Sequence, residues 1–270
     1  MKRNLAIDAA RGSLAWAVVF VHILWFSGLQ HSGARGAIGS WAVIGFMILS
    51  GYVATAAYKP EPYSRYLAKR FWRLTPVLAA CWVLALLAGS GLDTAWFVTL
   101  LVQFYLVLPF LMNLTLRHGR GVLVWLFALG LFCYLPPIRD FFEPLAPMYE
   151  FLPQNLLWFV LGMIGYELAD PYVMANLSAR CEGHWLLVRL GEISYSTYLV
   201  HWPLLFAIGH IIPVELPTAL RMALIALAGV PATLVMSLIL YKFVELPGVA
   251  LGKRRLARKP SILPAKEVPA

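Results

Sequence analysis

Arg11 and His22, with ten residues between them, sit inside one apolar run from Ile7 to Phe26. Ionisable side chains within a membrane-length helix are costly unless they face a protein interior, a cavity or a partner, which makes both residues functional candidates. Eleven steps of about 100° and 1.5 Å return them to nearly one helical face, roughly 16 Å apart along the axis. The spacing predicts a charged site near one membrane surface and a titratable site deeper in. A neutral imidazole can take a proton from a hydroxyl or act as a nucleophile. His22 is therefore a candidate general base or nucleophile, and a histidine hydrogen-bonded between helices is the plainer reading. Asp8, three residues before Arg11, is placed to neutralise and orient it.

A second set of groups lies in SRYLAKRFWRLTP, where Lys69, Arg70 and Arg73 share one turn at the start of the third apolar span. Arg70 and Arg73, three apart, are neighbours on a helix surface. Two guanidinium forks on one face suit bidentate binding of phosphate and so predict a phosphorylated cytosolic ligand. Anchoring to lipid headgroups is the plainer use of the same charges. A third set, Ser194, Tyr198 and His201 in GEISYSTYLVHWPLLF, follows i, i+4, i+7 and shares one face. Such a stripe faces the bundle interior, where it serves interhelical hydrogen bonding or contact with a polar substrate or with His22. Glu245, just before Pro247, either pairs with an arginine or ends the last span in water. The sequence holds no GxSxG, GxxxxGK or HExxH, so neither a metal nor a nucleotide-hydrolysing engine is expected.

These groups need elements to hold them, and the composition says which kind. Of 270 residues, 61% are hydrophobic and 13% charged, about half the charged share of a soluble domain. The expected fold is an all-α polytopic membrane helix bundle. Windows of about 20 apolar residues give eight candidate spans, near 7–27, 38–58, 74–91, 95–115, 121–137, 154–170, 193–212 and 217–246. Because the first holds Asp8 and Arg11 and lacks a convincing cleavage site, it is expected to remain as a helix.

The net charge of +9 is a topology signal more than a nucleic-acid one. Lys2 and Arg3, the Lys59 to Arg73 group, Arg117 and Arg120, and the cluster Lys253, Arg254, Arg255, Arg258 and Lys259 fall on one side of an eight-span bundle. The other side holds mainly Arg35 and Arg139 beside several acids. By the positive-inside rule both termini are cytoplasmic. Residues 1–252 read as one integral domain and 253–270 as a basic cytoplasmic tail without structure. The segment Pro136 to Pro153 reads as the longest outer loop, able to cover a substrate entrance. Ala169 to Glu192 is the longest inner connection, with GHWLLVRLGE as an interfacial helix. Cys81, Cys133 and Cys181 have no paired spacing and suggest neither disulfides nor a zinc site.

In order along the chain, these segments resemble membrane-bound acyltransferase family 3, integral membrane enzymes that O-acylate bacterial surface polysaccharides and related acceptors. RNLAIDAARGSLAWAVVFVHI looks like the family's first helix, with Arg11 and His22 as its arginine and histidine. GFMILSGY, containing Ser50, is similar to the phenylalanine-rich segment that ends in Ser-Gly. KRFWRLTP carries Arg-x-x-Arg as Arg70 and Arg73, followed by Pro76. QFYLVLPFL, containing Tyr105, resembles the QFYL segment, and ISYSTYLVHWPL and FVELP resemble the late SYxxYLxH helix and the closing Glu-x-Pro. Two features depart from the pattern. Leu101 and Val102 stand where the family often has a glutamate before QFY, and eight spans are fewer than the family's usual ten or so.

The resemblance implies an acyl donor, usually acetyl-CoA, reached from the cytoplasm of a bacterial cell, and an acceptor hydroxyl on a saccharide or lipid-linked sugar. It makes Arg70 and Arg73 candidates for the donor's phosphates, Arg11 for donor positioning, and His22 for proton abstraction or transient acyl carriage. Asp8, Ser50, Tyr105, Ser194, Tyr198, His201 and Glu245 become candidates for substrate contact or support. A transporter or flippase for an organic anion or acylated glycolipid is the competing expectation, because it too would bury Arg11 and His22 in a polar cavity.

Overall fold

The computed structural model describes residues 4–29, 33–142 and 152–257, and their regular structure is entirely helical. In chain order the helices are α1 (Leu5–Leu24), α2 (Gly33–Ala56), α3 (Tyr63–Leu87), α4 (Ala95–His118), α5 (Gly121–Phe132), α6 (Pro136–Phe142), α7 (Leu152–Leu168), α8 (Pro171–Arg180), α9 (Trp185–Glu192), α10 (Ser194–Ile211), α11 (Thr218–Leu240) and α12 (Leu246–Ala257). Each of the eight expected segments is helical. By length and composition, five of the described helical stretches can cross a membrane, or six if α7 and α8, bent by 102°, count as one. α3 begins at Tyr63, well before the expected 74, since its basic residues favour helix and nothing breaks it after Pro62. The whole basic segment is thereby ordered on one helix.

Asn4 starts α1 because its side-chain oxygen accepts from the backbone N–H groups of Ala6 (3.0 Å) and Ile7 (3.3 Å), which have no helical partner of their own. Its amide donates to the Met174 carbonyl at 3.3 Å, tying that end of α1 to α8. α1 then runs through the bundle against α2, α9 and α10. Its contact with α9 is made backbone to backbone, for a Cβ on Gly191 would sit 1.8 Å from the Asp8 carbonyl and one on Gly12 would sit 2.7 Å from the Gly191 nitrogen. α2 and α7 approach in the same way at Gly51 and Gly162, where an added Cβ would meet the Phe159 and Ile48 carbonyls at 1.9 Å. Small residues at such crossings let helices pack without a hydrophobic driving force in lipid. The glycine of the Ser-Gly segment thus has a packing role.

Phe104 of α4 stacks on Phe159 of α7 with centroids 4.2 Å apart, at the centre of the apolar core. The outer faces carry Leu86, Leu87, Phe110, Trp125 and Leu227, each strongly exposed. Apolar patches of this extent are rare on soluble monomers and suit a lipid-facing surface. The protein is an integral membrane protein.

The connection Ala169 to Glu192 folds as α8 and α9, the latter spanning the WLLVRLGE of the expected interfacial helix. Val188 and Gly191 are buried, whereas Trp185, Leu186 and Leu187 are exposed. A π-helical turn, Tyr241–Glu245, joins α11 to α12, and α12 lies on α3 with Gly248 facing Pro76 and Gly252 facing Trp72. α12 continues through Lys253, Arg254 and Arg255, so the first residues of the basic segment 253–270 are helical. Residues 258–270, Lys2, Arg3 and the stretch 143–151 of the expected outer loop lie outside the described residues.

Candidate active site

A cavity of about 450 Å³ opens among α1, α2, α3, α4 and α10, within the usual range of small-molecule sites. Arg11, Ser50, Arg70, Arg73, Tyr105, Ser194 and Tyr198 all line it, so five helices deliver seven of the eleven candidates to one space. Lys59 and Lys69 join the three arginines on the wall, and Glu61 is the acid there. Glu61 is itself engaged by Lys69 and, at 3.9 Å, by Arg65. Among the described residues none of Arg11, Arg70 and Arg73 is ion-paired, which leaves the wall strongly cationic. The Arg70 guanidinium lies 3.9 Å above the Tyr66 ring centroid and 5.7 Å from that of Tyr105. Stacking holds the group by its face, and its N–H edge remains available to an oxyanion.

Two acids stand behind this wall. Glu245 is buried and accepts a hydrogen bond from the Ser196 hydroxyl at 2.8 Å, within electrostatic reach of Arg73 and Arg11. Asp8 also acts on Arg11 through space. Neither acid lines the cavity. They partly offset the arginines from beneath. For Glu245 this placement depends on the π-helical turn at the end of α11, since the wider turn rotates the residues after it about the helix axis.

His22 and His201 meet farther along the bundle. His201 Nε2 lies 3.0 Å from His22 Nδ1, while His201 Nδ1 is 3.1 Å from the Thr197 carbonyl and His22 Nδ1 is 3.0 Å from the Val18 carbonyl. A carbonyl only accepts, so in the neutral pair His201 carries its proton on Nδ1 and offers Nε2 as an acceptor. His22 then carries its proton on Nδ1, shared between Val18 and His201. This tautomer leaves Nε2 of His22 as the basic and nucleophilic nitrogen. The Trp202 ring meets the His22 ring edge-on at 5.0 Å. Neither histidine lines the cavity. Two helical turns of α10 bridge the gap, with Ser194 in the cavity and His201 about 10 Å along the axis at His22.

Several contributors to the site carry little signal in the sequence. Tyr66, four residues before Arg70, was detectable as an i, i+4 aromatic–cation pair. Phe46 and Phe97 had no such signal, because an aromatic residue in an apolar span reads equally as core. Leu101, at a position where the family often has an acid, lines the cavity, while Val102 is exposed on another face.

A family described as an acyltransferase domain, acyltransferase family 3, matches residues 4–177, well over half of the chain. No curated protein and no solved structure matches it. The matched stretch contains Arg11, His22, Ser50, Arg70, Arg73 and Tyr105, and it ends before α10, which supplies Ser194, Tyr198 and His201. With the motifs in order and the cationic cavity built from them, the chain belongs to membrane acyltransferase family 3 and is an acyltransferase.

Proposed function

We propose that this protein transfers an acyl group, most simply acetyl, from acyl-CoA to a hydroxyl of a saccharide or lipid-linked sugar at a bacterial cytoplasmic membrane. The observation that carries the reading is the cavity in which Arg11, Arg70 and Arg73 converge with no ion pair among the described residues and from which α10 leads to His22. Arg70 and Arg73 hold the donor's phosphates, because each presents a planar fork that a phosphate can engage with two hydrogen bonds. Lys59 and Lys69, exposed at the rim, draw the polyanion in from the cytoplasmic side. Arg11, deeper in, positions the thioester end.

In the transfer step the acceptor oxygen attacks the thioester carbonyl carbon, a C–O bond forms and the C–S bond breaks. His22 Nε2 takes the hydroxyl proton and returns it to the departing sulfur, so the imidazole ends neutral and free CoA leaves. His201 acts through His22 by keeping the proton on Nδ1, and is a positioning residue. Incubation of purified protein with radiolabelled acetyl-CoA and a panel of saccharides tests the reading. Label transferred to a saccharide supports it, and inactivity across acyl-CoA donors and saccharide acceptors would overturn it.

A further inference from the structure

Three rings cluster at one end of the cavity lining. Phe46 of α2, Phe97 of α4 and Tyr198 of α10 all line it, with centroids 5.7 Å apart for Phe46–Phe97, 5.9 Å for Phe46–Tyr198 and 5.3 Å for Phe97–Tyr198. The Tyr198 ring also meets the His201 ring at 5.9 Å, and His201 bonds His22. Tyr198 thus touches both the cavity and the imidazole pair. One turn before Tyr198 on the same face, Ser194 is 1% exposed and its buried hydroxyl has no hydrogen-bond partner among the described residues, although Ser194 lines the cavity. A buried hydroxyl left unsatisfied is unfavourable until a ligand meets it.

Resting on the acyl-CoA reading above, we infer that this end of the cavity is the acyl subsite. Ser194 Oγ donates to the thioester carbonyl, and Phe46, Phe97 and Tyr198 form an end wall that accepts short acyl chains and stops long ones. Each ring comes from a different helix and is held by edge or tilted contact with the other two, so the wall is set by bundle packing. Phe97 touches both of the others, so its loss opens the wall.

Calorimetry on the purified full-length protein with CoA, acetyl-CoA and octanoyl-CoA tests this without needing an acceptor. The wild type should bind octanoyl-CoA at least about tenfold more weakly than acetyl-CoA, the scale on which apolar pockets discriminate by size. Phe97→Ala should bring the two within about twofold and leave CoA itself unchanged, and Phe97→Leu should do so in part. Ser194→Ala should weaken acetyl-CoA about fivefold and CoA not at all. Equal binding of acetyl- and octanoyl-CoA by the wild type would overturn the wall, as would a Phe97→Ala effect equal for CoA and octanoyl-CoA. Should Phe97→Ala not fold, an unshifted chain-length preference in Phe97→Leu would overturn it equally. Absence of CoA binding to the wild type would instead overturn the donor reading, and this inference with it.

Discussion

His201 Nε2 sits 3.0 Å from His22 Nδ1, joining α10 to α1 across 179 residues of sequence. Because His201 donates its own Nδ1 proton to the Thr197 carbonyl, the contact fixes which nitrogen of His22 is basic. A hydrogen bond between two side chains therefore sets the chemistry of one of them.

Replacing His22 by alanine should lower transfer by about 10² to 10⁴, the span of general-base contributions. His201→Ala should cost about tenfold, the worth of one positioning hydrogen bond. The loss should fall on kcat with KM for acyl-CoA unchanged, and His201→Gln, which keeps an acceptor, should recover part of it. Activity of His22→Ala within a fewfold of wild type would assign the histidine to packing.

Arg70→Lys and Arg73→Lys should each weaken CoA binding by about tenfold to a hundredfold, since losing one charge-assisted hydrogen bond costs roughly 1.5–3 kcal/mol. Lysine keeps the charge and loses the fork. Titration with CoA and dephospho-CoA shows which phosphate each arginine holds. Unchanged affinity in both variants would make them membrane anchors.

Gly51→Ala should destabilise the bundle by about 1–3 kcal/mol, because even a methyl group there meets the Phe159 backbone carbonyl. Gly36→Ala, on the same helix with open space around it, should stay within about 0.5 kcal/mol. Thermal unfolding in detergent measures both. Equal melting temperatures would mean that α2 and α7 are farther apart than the glycine contact implies.

Orientation is set by charge. In a background of Cys81→Ala, Cys133→Ala and Cys181→Ser, the single substitutions Arg65→Cys and Arg254→Cys should react with an impermeant thiol reagent only after cells are opened, as cytoplasmic positions require. Labelling in intact cells would reverse the topology.

How the charges and apolar runs divide along the chain depends on the solvent each segment meets, and that is a local property. The helices containing Arg11, Arg70 and His201 were legible for this reason, as was the shared face of Ser194, Tyr198 and His201, since helical periodicity alone fixes it. The motifs likewise identified the family before any contact was known. Sequence could not supply which faces meet. Whether Arg70 and Arg73 bind lipid or line a cavity with Arg11 depends on α3 packing against α10, and whether His201 is a hydrogen-bonded core residue or a partner of His22 depends on the rotation of α10 against α1. Glu245 shows the same limit, being buried beneath the arginines and bonded to Ser196 only because a π-helical turn re-aims the end of α11. Apolar side chains give no direction in lipid, where one greasy face is worth nearly as much as another. The glycine approaches at Gly12–Gly191 and Gly51–Gly162 fix α1 against α9 and α2 against α7, and the site exists only once the helices are packed.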